Sequence, residues 1–571
     1  MSVISNMKMG LLKPENYAIM GHDPADINRV APIILIVILI GVLLEVKPRA
    51  LVNSGPSANR HDFWGQVKDM RRMVRLAAML IALTLLFGCV SSPPEHTSAR
   101  RDYYEIFVGS FYDSDGDGLG DLPGLISKLD YLNNKRGKDC LGVNGIWLMP
   151  VMPSPTYHKY DVTDYYSIDP GYGTMEDFEL LIAGCKARGI DVIIDLVLNH
   201  TSSKHPWFLA ALEELEGGGE PRYQHYYNFT GEKLGSEYYP TVGGLYYEAV
   251  FWSGMPDLNM DNGELRAEIA EIAKFWLEKG VAGFRLDAAN HIYNGQGKNI
   301  EFWTWFSGVC KEINEDVFLV GEVWSGELEI LPYYESGLAI FNYPFSGHSG
   351  TISKCLSGGN GAGLASAIER VDREIRRRNP DGIHCPFLSN HDNGRSAGFI
   401  PDPNKRKLAA AVYLMIPGSP FIYYGEEIGM TGSGIDENKR TAMLWSSSDP
   451  TGIAQNPEGA ANVKPPSAGV AEQLADPDSL LNYYRAVLAL KAKYPDIRDG
   501  EVVKVEMEER GLCAIRTGGV IVMHNLTGET VEAPLAGLGV SLGGFVSPTG
   551  EKVVEKGGVL TLGPYASAVL K

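Results

Sequence analysis

From about residue 103 to residue 427, short apolar runs alternate with amphipathic stretches, and this alternation restricts the possible architecture more than any other feature. Eight runs read as buried strands: Glu105–Phe111, Val143–Pro150, Asp191–Val197, Gly283–Ala288, Asp316–Trp324, Gly337–Pro344, His384–His391 and Ser419–Glu427. Helical patterns separate them, such as Leu265, Ile269, Ile272 and Trp276, spaced four, three and four apart and stopped by Gly280. Strands that are apolar almost throughout need cover on both faces, so eight such units predict a (β/α)₈ TIM barrel. One interval is too long. Residues 198–282, between the third and fourth runs, exceed what one helix and two loops require. Within them, 201–258 are rich in Gly, Tyr and polar residues and predict an inserted subdomain, leaving 103–200 and 259–494 to the barrel. After about 495 the pattern changes to alternating runs such as EVVKVEME, LCAIRT and GVIVMHN with Gly-rich turns, predicting an antiparallel β-sandwich over 495–571.

The front of the chain is different. Residues 30–44 are apolar but short for a bilayer-spanning helix, which needs about 20 residues. A second hydrophobic segment starts at Met70, with Arg71, Arg72 and Arg75 ahead of the apolar run Leu76–Phe87. It ends Leu-Phe-Gly-Cys at Cys89, followed by Ser-Ser-Pro-Pro. This resembles a bacterial lipoprotein cleavage box, which implies a signal over 70–89, lipidation of Cys89 and a tether over 90–102. An uncleaved membrane anchor is the alternative, and either places the remainder of the chain outside the cytoplasm. Residues 1–69 would then precede a complete signal, consistent with a translation start at Met70 or Met73.

The net charge of −19 over 571 residues argues against nucleic acid, whose phosphates call for basic patches. It suits a neutral substrate that needs no electrostatic steering. The seven Cys lack metal-ligand or redox spacing, and those outside the lipoprotein box sit in apolar contexts that favour buried free thiols.

Barrels of this kind carry their chemistry at the C-terminal ends of the strands. Those ends hold Asp195, Asn199 and His200 after the third run, Arg285 and Asp287 at the fourth, Glu322 at the fifth, and His391 and Asp392 at the seventh. Three carboxylates beyond Asp195, an Arg and two His on one rim suit cleavage of a glycosidic bond. With retention, that reaction needs two carboxyl groups about 5–5.5 Å apart, one nucleophilic and one proton-donating. Arg285, two residues before Asp287 on the same strand face, should keep that Asp ionised. Glu322, in an apolar run, should keep a raised pKa and act as the acid.

The blocks DLVLNH (195–200), MPDLN (255–259), GFRLDAANH (283–291), GEVW (321–324), FLSNHD (387–392) and GSPFIYYGEEIGM (418–430) resemble those of the α-amylase family, glycoside hydrolase family 13, over about 103–571. The resemblance implies Asp287 as nucleophile, Glu322 as general acid/base and Asp392 as the stabiliser of an oxocarbenium-like transition state. It implies that His200 and His391 hold sugar hydroxyls, that Arg285 orients Asp287 and that Tyr160 stacks on the ring being cleaved. His291 falls in the leaving-group subsite, with Asn290 where many relatives have Lys. Asp161 and Arg395 occupy positions that clamp the terminal glucose in exo-acting members. MPDLN stands between the forms typical of oligo-1,6-glucosidases and neopullulanases, implying action on starch and maltooligosaccharides with some tolerance of α-1,6 bonds.

The segment DSDGDGLGD (113–121) alternates Asp with Gly, which lets a tight loop aim several oxygens at a hard cation. Gly124 at the twelfth position excludes an EF-hand. The family precedent implies structural Ca²⁺ held by Asp113, Asp115, Asp117, the Leu119 carbonyl and Asp121. The function expected is retaining hydrolysis of α-1,4-glucosidic bonds, in an enzyme anchored outside a bacterial cell through lipid alone. An exo-α-glucosidase or oligo-1,6-glucosidase, and a transglycosylase with the same covalent intermediate, are alternatives. A non-catalytic sugar-binding or transport accessory protein is the alternative from another class. The sequence leaves the oligomeric state open.

Overall fold

The computed structural model describes residues 100–571 apart from Arg136 and Asn462, so the lipoprotein signal, Cys89 and residues 1–69 lie outside the described residues. Among the described residues, no helix is long and apolar enough to cross a membrane.

Three parallel strands open the barrel: β1 (Tyr103–Ile106), β2 (Gly145–Leu148) and β3 (Asp191–Leu196). A small antiparallel sheet follows within the insertion, from β4 (Phe229–Thr230), β5 (Tyr238–Pro240) and β6 (Tyr246–Glu248), in the order β4-β6-β5. The barrel resumes with β7 (Gly283–Leu286), β8 (Phe318–Gly321), β9 (Ala339–Phe341), β10 (His384–Cys385) and β11 (Phe421–Tyr423). The eight parallel strands run β10-β9-β8-β7-β3-β2-β1-β11. Phe421 N–H donates to the Pro386 carbonyl at 3.0 Å and Ser419 N–H to that of His384 at 2.8 Å, which brings the two outer strands together and closes the barrel.

Alternation along each strand divides the core. Tyr103, Trp147, Ile193, Phe318, Val320, Phe341, Cys385 and Phe421 fill the barrel, while Tyr104, Ile146, Ile194, Phe284 and Leu319 face the surrounding helices. The same period of two sends Glu105, Asp195, Arg285, Asp287 and Glu322 inward above the apolar layer. Register then sets neighbours: Asp195 pairs with Arg285 across β3 and β7. On the other side of β7, Gly283 allows the close pairing with β8, because a Cβ there would lie 1.8 Å from the Phe318 carbonyl oxygen.

Several strands are shorter than their apolar runs. The first spans Tyr103–Ile106 rather than 105–111, and Val108–Ser110 form a 3₁₀ turn. Phe107, Val108 and Phe111 are apolar because that loop is itself buried. β10 pairs for two residues only, since Pro386 has no N–H to donate. Beyond β11 the chain turns at Gly425 (φ 78°), which puts Glu426 and Glu427 in a buried turn.

The insertion carries a helix, Pro206–Leu215, beside its small sheet, and rejoins the barrel through bridges from His200 to Asp257 and from Tyr227 to Leu258. C-terminally, β12 (Val502–Lys504), β13 (Leu512–Thr517), β14 (Val520–Asn525), β15 (Val531–Pro534), β16 (Leu542–Val546), β17 (Val554–Lys556), β18 (Val559–Leu562) and β19 (Ser567–Leu570) form two antiparallel sheets. They bury Leu512, Met523, Leu560 and Leu570 in a core of their own. Cys140, Cys185, Cys310, Cys355, Cys385 and Cys513 are free and buried.

Candidate active site

Arg285 lies at the bottom of the open end of the barrel, 1% exposed, and one guanidinium binds three carboxylates. Its Nη1 donates to Asp195 Oδ1 at 2.8 Å and Asp287 Oδ1 at 2.6 Å, and its Nη2 to Glu322 Oε2 at 2.5 Å. The rings of Trp147 and Tyr160 flank it, at 5.2 and 5.6 Å from their centroids. Glu322 is further held by the Ala288 N–H at 3.1 Å and by the Tyr343 hydroxyl, which donates to Oε1 at 3.1 Å.

The sequence predicts that Arg285 keeps Asp287 ionised. In the structure burial prevails and raises the Asp287 carboxyl to about 8, with Arg285 opposing and Glu322 and Asp195 adding to the rise. The physical reason is sharing: one positive charge is divided among three acids in a dry site. Burial raises Asp195 as well, against the pull of Arg285.

A second cluster faces the first. His391 donates from Nδ1 to Glu105 Oε1 at 2.6 Å, and its Nε2 lies 3.0 Å from Asp392 Oδ2 and 2.7 Å from the Tyr160 hydroxyl. Burial would lower the imidazole, but Asp392 and Glu105 raise it to about 9, so both ring nitrogens carry protons at neutral pH. Tyr160 can then accept from His391 while donating to Asp195 Oδ2 at 3.0 Å. Burial works against ionisation of Asp392, yet His391 and Arg440 outweigh it and hold that carboxyl below its ordinary range. Arg440 Nη2 reaches Asp392 Oδ1 at 2.9 Å. Tyr160 is stacked on His391, with centroids 5.5 Å apart and planes at 15°.

On the insertion side, Phe251 joins His200 and His291 edge to face, at 5.3 and 5.5 Å. Burial lowers His200 to about 3 and also lowers His291, so both are neutral. The buried Nε2 of His200 has no protein partner.

Asp161 and Arg395 are both buried and are each held by other partners. Asp161 accepts from Ser154 Oγ at 2.7 Å and from Thr156 Oγ1. Arg395 is 1% exposed, donates from Nε to the Lys439 carbonyl at 2.8 Å and from Nη1 to that of Tyr424 at 2.6 Å, and packs on the rings of Tyr423 and Tyr424.

Near β1, carboxylate oxygens of Asp113, Asp115 and Asp117 lie within 4.8 Å of one another. Asp121 stands apart from this group. It caps the helix Leu122–Ser127 through the Gly124 N–H at 2.6 Å and accepts from the Ser114 N–H and hydroxyl at 2.9 and 3.0 Å.

Glu105, Tyr343 and Arg440 were absent from the sequence-derived set. Glu105 carried a signal, as an acid inside the apolar run YYEIFV. Arg440 and Tyr343 carried none, since their partners are distant in sequence.

The model of the α-amylase catalytic domain matches residues 105–500, most of the barrel and its insertion. The chain belongs to the α-amylase family. Among its family relatives it is similar to α-amylase 3 of Dictyoglomus thermophilum, 42% identical over 466 residues that cover 80% of this chain and 90% of that one. It is similar also to the oligo-1,6-glucosidase of Parageobacillus thermoglucosidasius, 30% identical, covering 68% of this chain and 83% of that one. Among solved structures of the family, Amy13B of Eubacterium rectale superposes with a TM-score of 0.79 at 38% identity, covering 83% of this chain and 95% of that one.

Proposed function

We propose that the chain hydrolyses α-1,4-glucosidic bonds in starch and maltooligosaccharides, with some action on α-1,6 bonds, by double displacement with retention. The observation that carries this is the single guanidinium of Arg285 holding an oxygen of Asp287 and an oxygen of Glu322 on adjacent nitrogens. Two carboxyls tied that way favour the short separation of retaining enzymes, about 5–5.5 Å, over the wider gap that admits a water between them.

In this reading Glu322 protonates the leaving oxygen while Asp287 attacks the anomeric carbon and forms the glycosyl-enzyme. The deprotonated Glu322 then takes a proton from water, which releases the sugar. Asp287 must be ionised to attack, and the site favours its proton while empty. While Glu322 still holds the proton it will deliver, it is neutral, so the charge of Arg285 is shared with one acid fewer and favours ionised Asp287. Positive charge developing on the sugar is then met by Asp287 and by Asp392, the latter kept ionised by His391 and Arg440. Tyr160 supports the ring by stacking, and His200, His391 and His291 offer hydrogen bonds to its hydroxyls and to the leaving sugar. Exo-action and transfer to a sugar acceptor use the same intermediate; products from maltoheptaose separate them, with mixed short oligosaccharides expected here. Glu322→Gln should lower turnover by about three orders of magnitude or more while retaining maltoheptaose binding. Near-native turnover in that variant would remove the assignment.

Asp113, Asp115 and Asp117 form a donor set that suits Ca²⁺: three hard oxygens on a turn with Gly116 and Gly118 at positive φ. A calcium ion there would be structural, neutralising the clustered charge. The lipoprotein-like segment ending at Cys89 supports an extracytoplasmic, lipid-anchored enzyme that cuts glucans outside the cell. Cys89→Ser should move the protein from the detergent-extracted membrane fraction to the soluble one, and unchanged partitioning would count against lipidation.

A further inference from the structure

Directly after β11 the chain turns at Gly425 and buries two acids side by side, Glu426 at 2% exposure and Glu427 at 0%. The mechanism above uses neither. Glu427 accepts from the hydroxyls of Tyr104 and Tyr131 at 2.7 and 2.5 Å, which fastens the turn to β1 and to the helix Leu129–Leu132. Glu426 has different partners. Its Oε1 accepts from Tyr413 and Tyr484, both at 2.9 Å, on the helices Pro403–Leu414 and Leu480–Ala492. Its Oε2 accepts from Ser389 Oγ at 2.7 Å. These partners are hydroxyls rather than a cation, so the site bears a buried charge whose desolvation an apolar residue of similar size would avoid.

What this carboxylate holds is the neck of a loop. Ser389 Oγ also accepts the Ser396 N–H at 3.2 Å, so one oxygen joins both ends of segment 389–396 while its proton goes to Glu426. His391 and Asp392 lie inside that segment. Within it, Asn390 Oδ1 accepts from the N–H groups of Asp392 and Asn393 at 3.1 and 2.9 Å. Asn390 Nδ2 donates at 3.3 Å to the Tyr343 hydroxyl, whose own proton goes to Glu322.

We propose that Glu426 is a positioning residue: by holding the Ser389 neck it sets where Asp392 and His391 stand toward the sugar and, through Asn390 and Tyr343, where Glu322 stands. The proposal rests on the hydrolase reading above. A carboxylate accepts all three hydroxyl protons, whereas an amide must turn its N–H groups toward one of them and leaves the neck short of an acceptor. Burial raises the Glu426 carboxyl to about 7, against the pull of the hydroxyls, so it is mostly ionised at about pH 8. Because Glu426 acts through the loop, its loss should show in the chemical step, where a misplacement of about 1 Å can cost up to about 100-fold.

The test measures kcat and KM for maltoheptaose at about pH 8 on the full chain, with the thermal midpoint of each variant. Glu426→Gln and Ser389→Ala should each lower kcat by about ten-fold and change KM by no more than about two-fold. Glu427→Gln is the control, an equally buried acid whose hydroxyl partners lie outside the loop; its kcat should stay within about two-fold of wild type whatever its midpoint. Ser389→Ala removes a single oxygen and decides the matter if Glu426→Gln does not fold. A folded Ser389→Ala with the kcat of wild type overturns the proposal. So does an equal loss of kcat in Glu426→Gln and Glu427→Gln, because rate would then follow buried charge rather than the loop. Wild-type protein inactive on maltoheptaose would instead refute the hydrolase reading, and the positioning role with it.

Discussion

Replacing Asp287 by Asn should stabilise the folded protein, and the gain should grow with pH. Burial raises the Asp287 carboxyl to about 8 in the folded state, against about 3.9 in an unfolded chain. A group whose folded pKa is raised contributes stability that is present below the unfolded value and lost as pH climbs through the folded one. Between pH 4 and 8 the folded protein therefore holds a proton that the unfolded chain has released, and stability falls as pH rises. Asn keeps an acceptor for Arg285 Nη1 without any charge to bury. At pH 5 about one unit of the penalty has accrued and at pH 8.5 about four, so the advantage of Asn grows by up to about 4 kcal/mol. Because Asp195 and Glu322 share Arg285 and its proton balance with Asp287, the observable difference should be nearer about 1–2 kcal/mol. Equilibrium urea unfolding of wild type and Asp287→Asn at pH 5 and pH 8.5, with refolding verified, reads this directly. A variant that gains no more at pH 8.5 than at pH 5 would refute the argument that burial outweighs Arg285.

Arg285→Lys should cut kcat on a chromogenic maltooligosaccharide by about two orders of magnitude or more, because an ammonium cannot reproduce the fork that holds Asp287 and Glu322 together; retained activity would separate the fork from the chemistry. Glu105→Gln should lower the His391 pKa from about 9, since a buried negative partner is lost, and NMR titration of labelled histidine reads the shift. An unchanged titration would mean that Asp392 alone holds the imidazolium. Chelation with EDTA should lower the thermal midpoint of wild type, and the Asp115→Asn, Asp117→Asn double variant should lose most of that response. An equal response in both proteins would place any bound calcium elsewhere.

What the sequence determined is what depends on short-range periodicity. The period of two that makes a buried strand also sets which side chains point inward, so Asp195, Arg285, Asp287 and Glu322 were legible as an inward-facing set from their own runs. Asp392 and His391 were legible from their place after the seventh run, and the switch to alternating runs after residue 495 marked a second kind of domain. Strand ends were less legible. Phe107, Val108 and Phe111 are apolar because their loop is buried, and a pattern of burial does not distinguish a strand from a packed turn. Only the tertiary structure decided which charges meet. Glu105 and His391 lie 286 positions apart and become partners because β1 and the segment after β10 flank β11 in the closed barrel. Arg440 reaches Asp392 for the same reason of closure, and Tyr343 reaches Glu322 because β8 and β9 pair side by side. The protonation of Asp287 depends on dielectric and on how many acids share one guanidinium, and both are properties of the assembled rim. Arg285 beside Asp287 in sequence suggested an ionised acid, whereas three carboxylates around one buried charge give a proton-holding cluster.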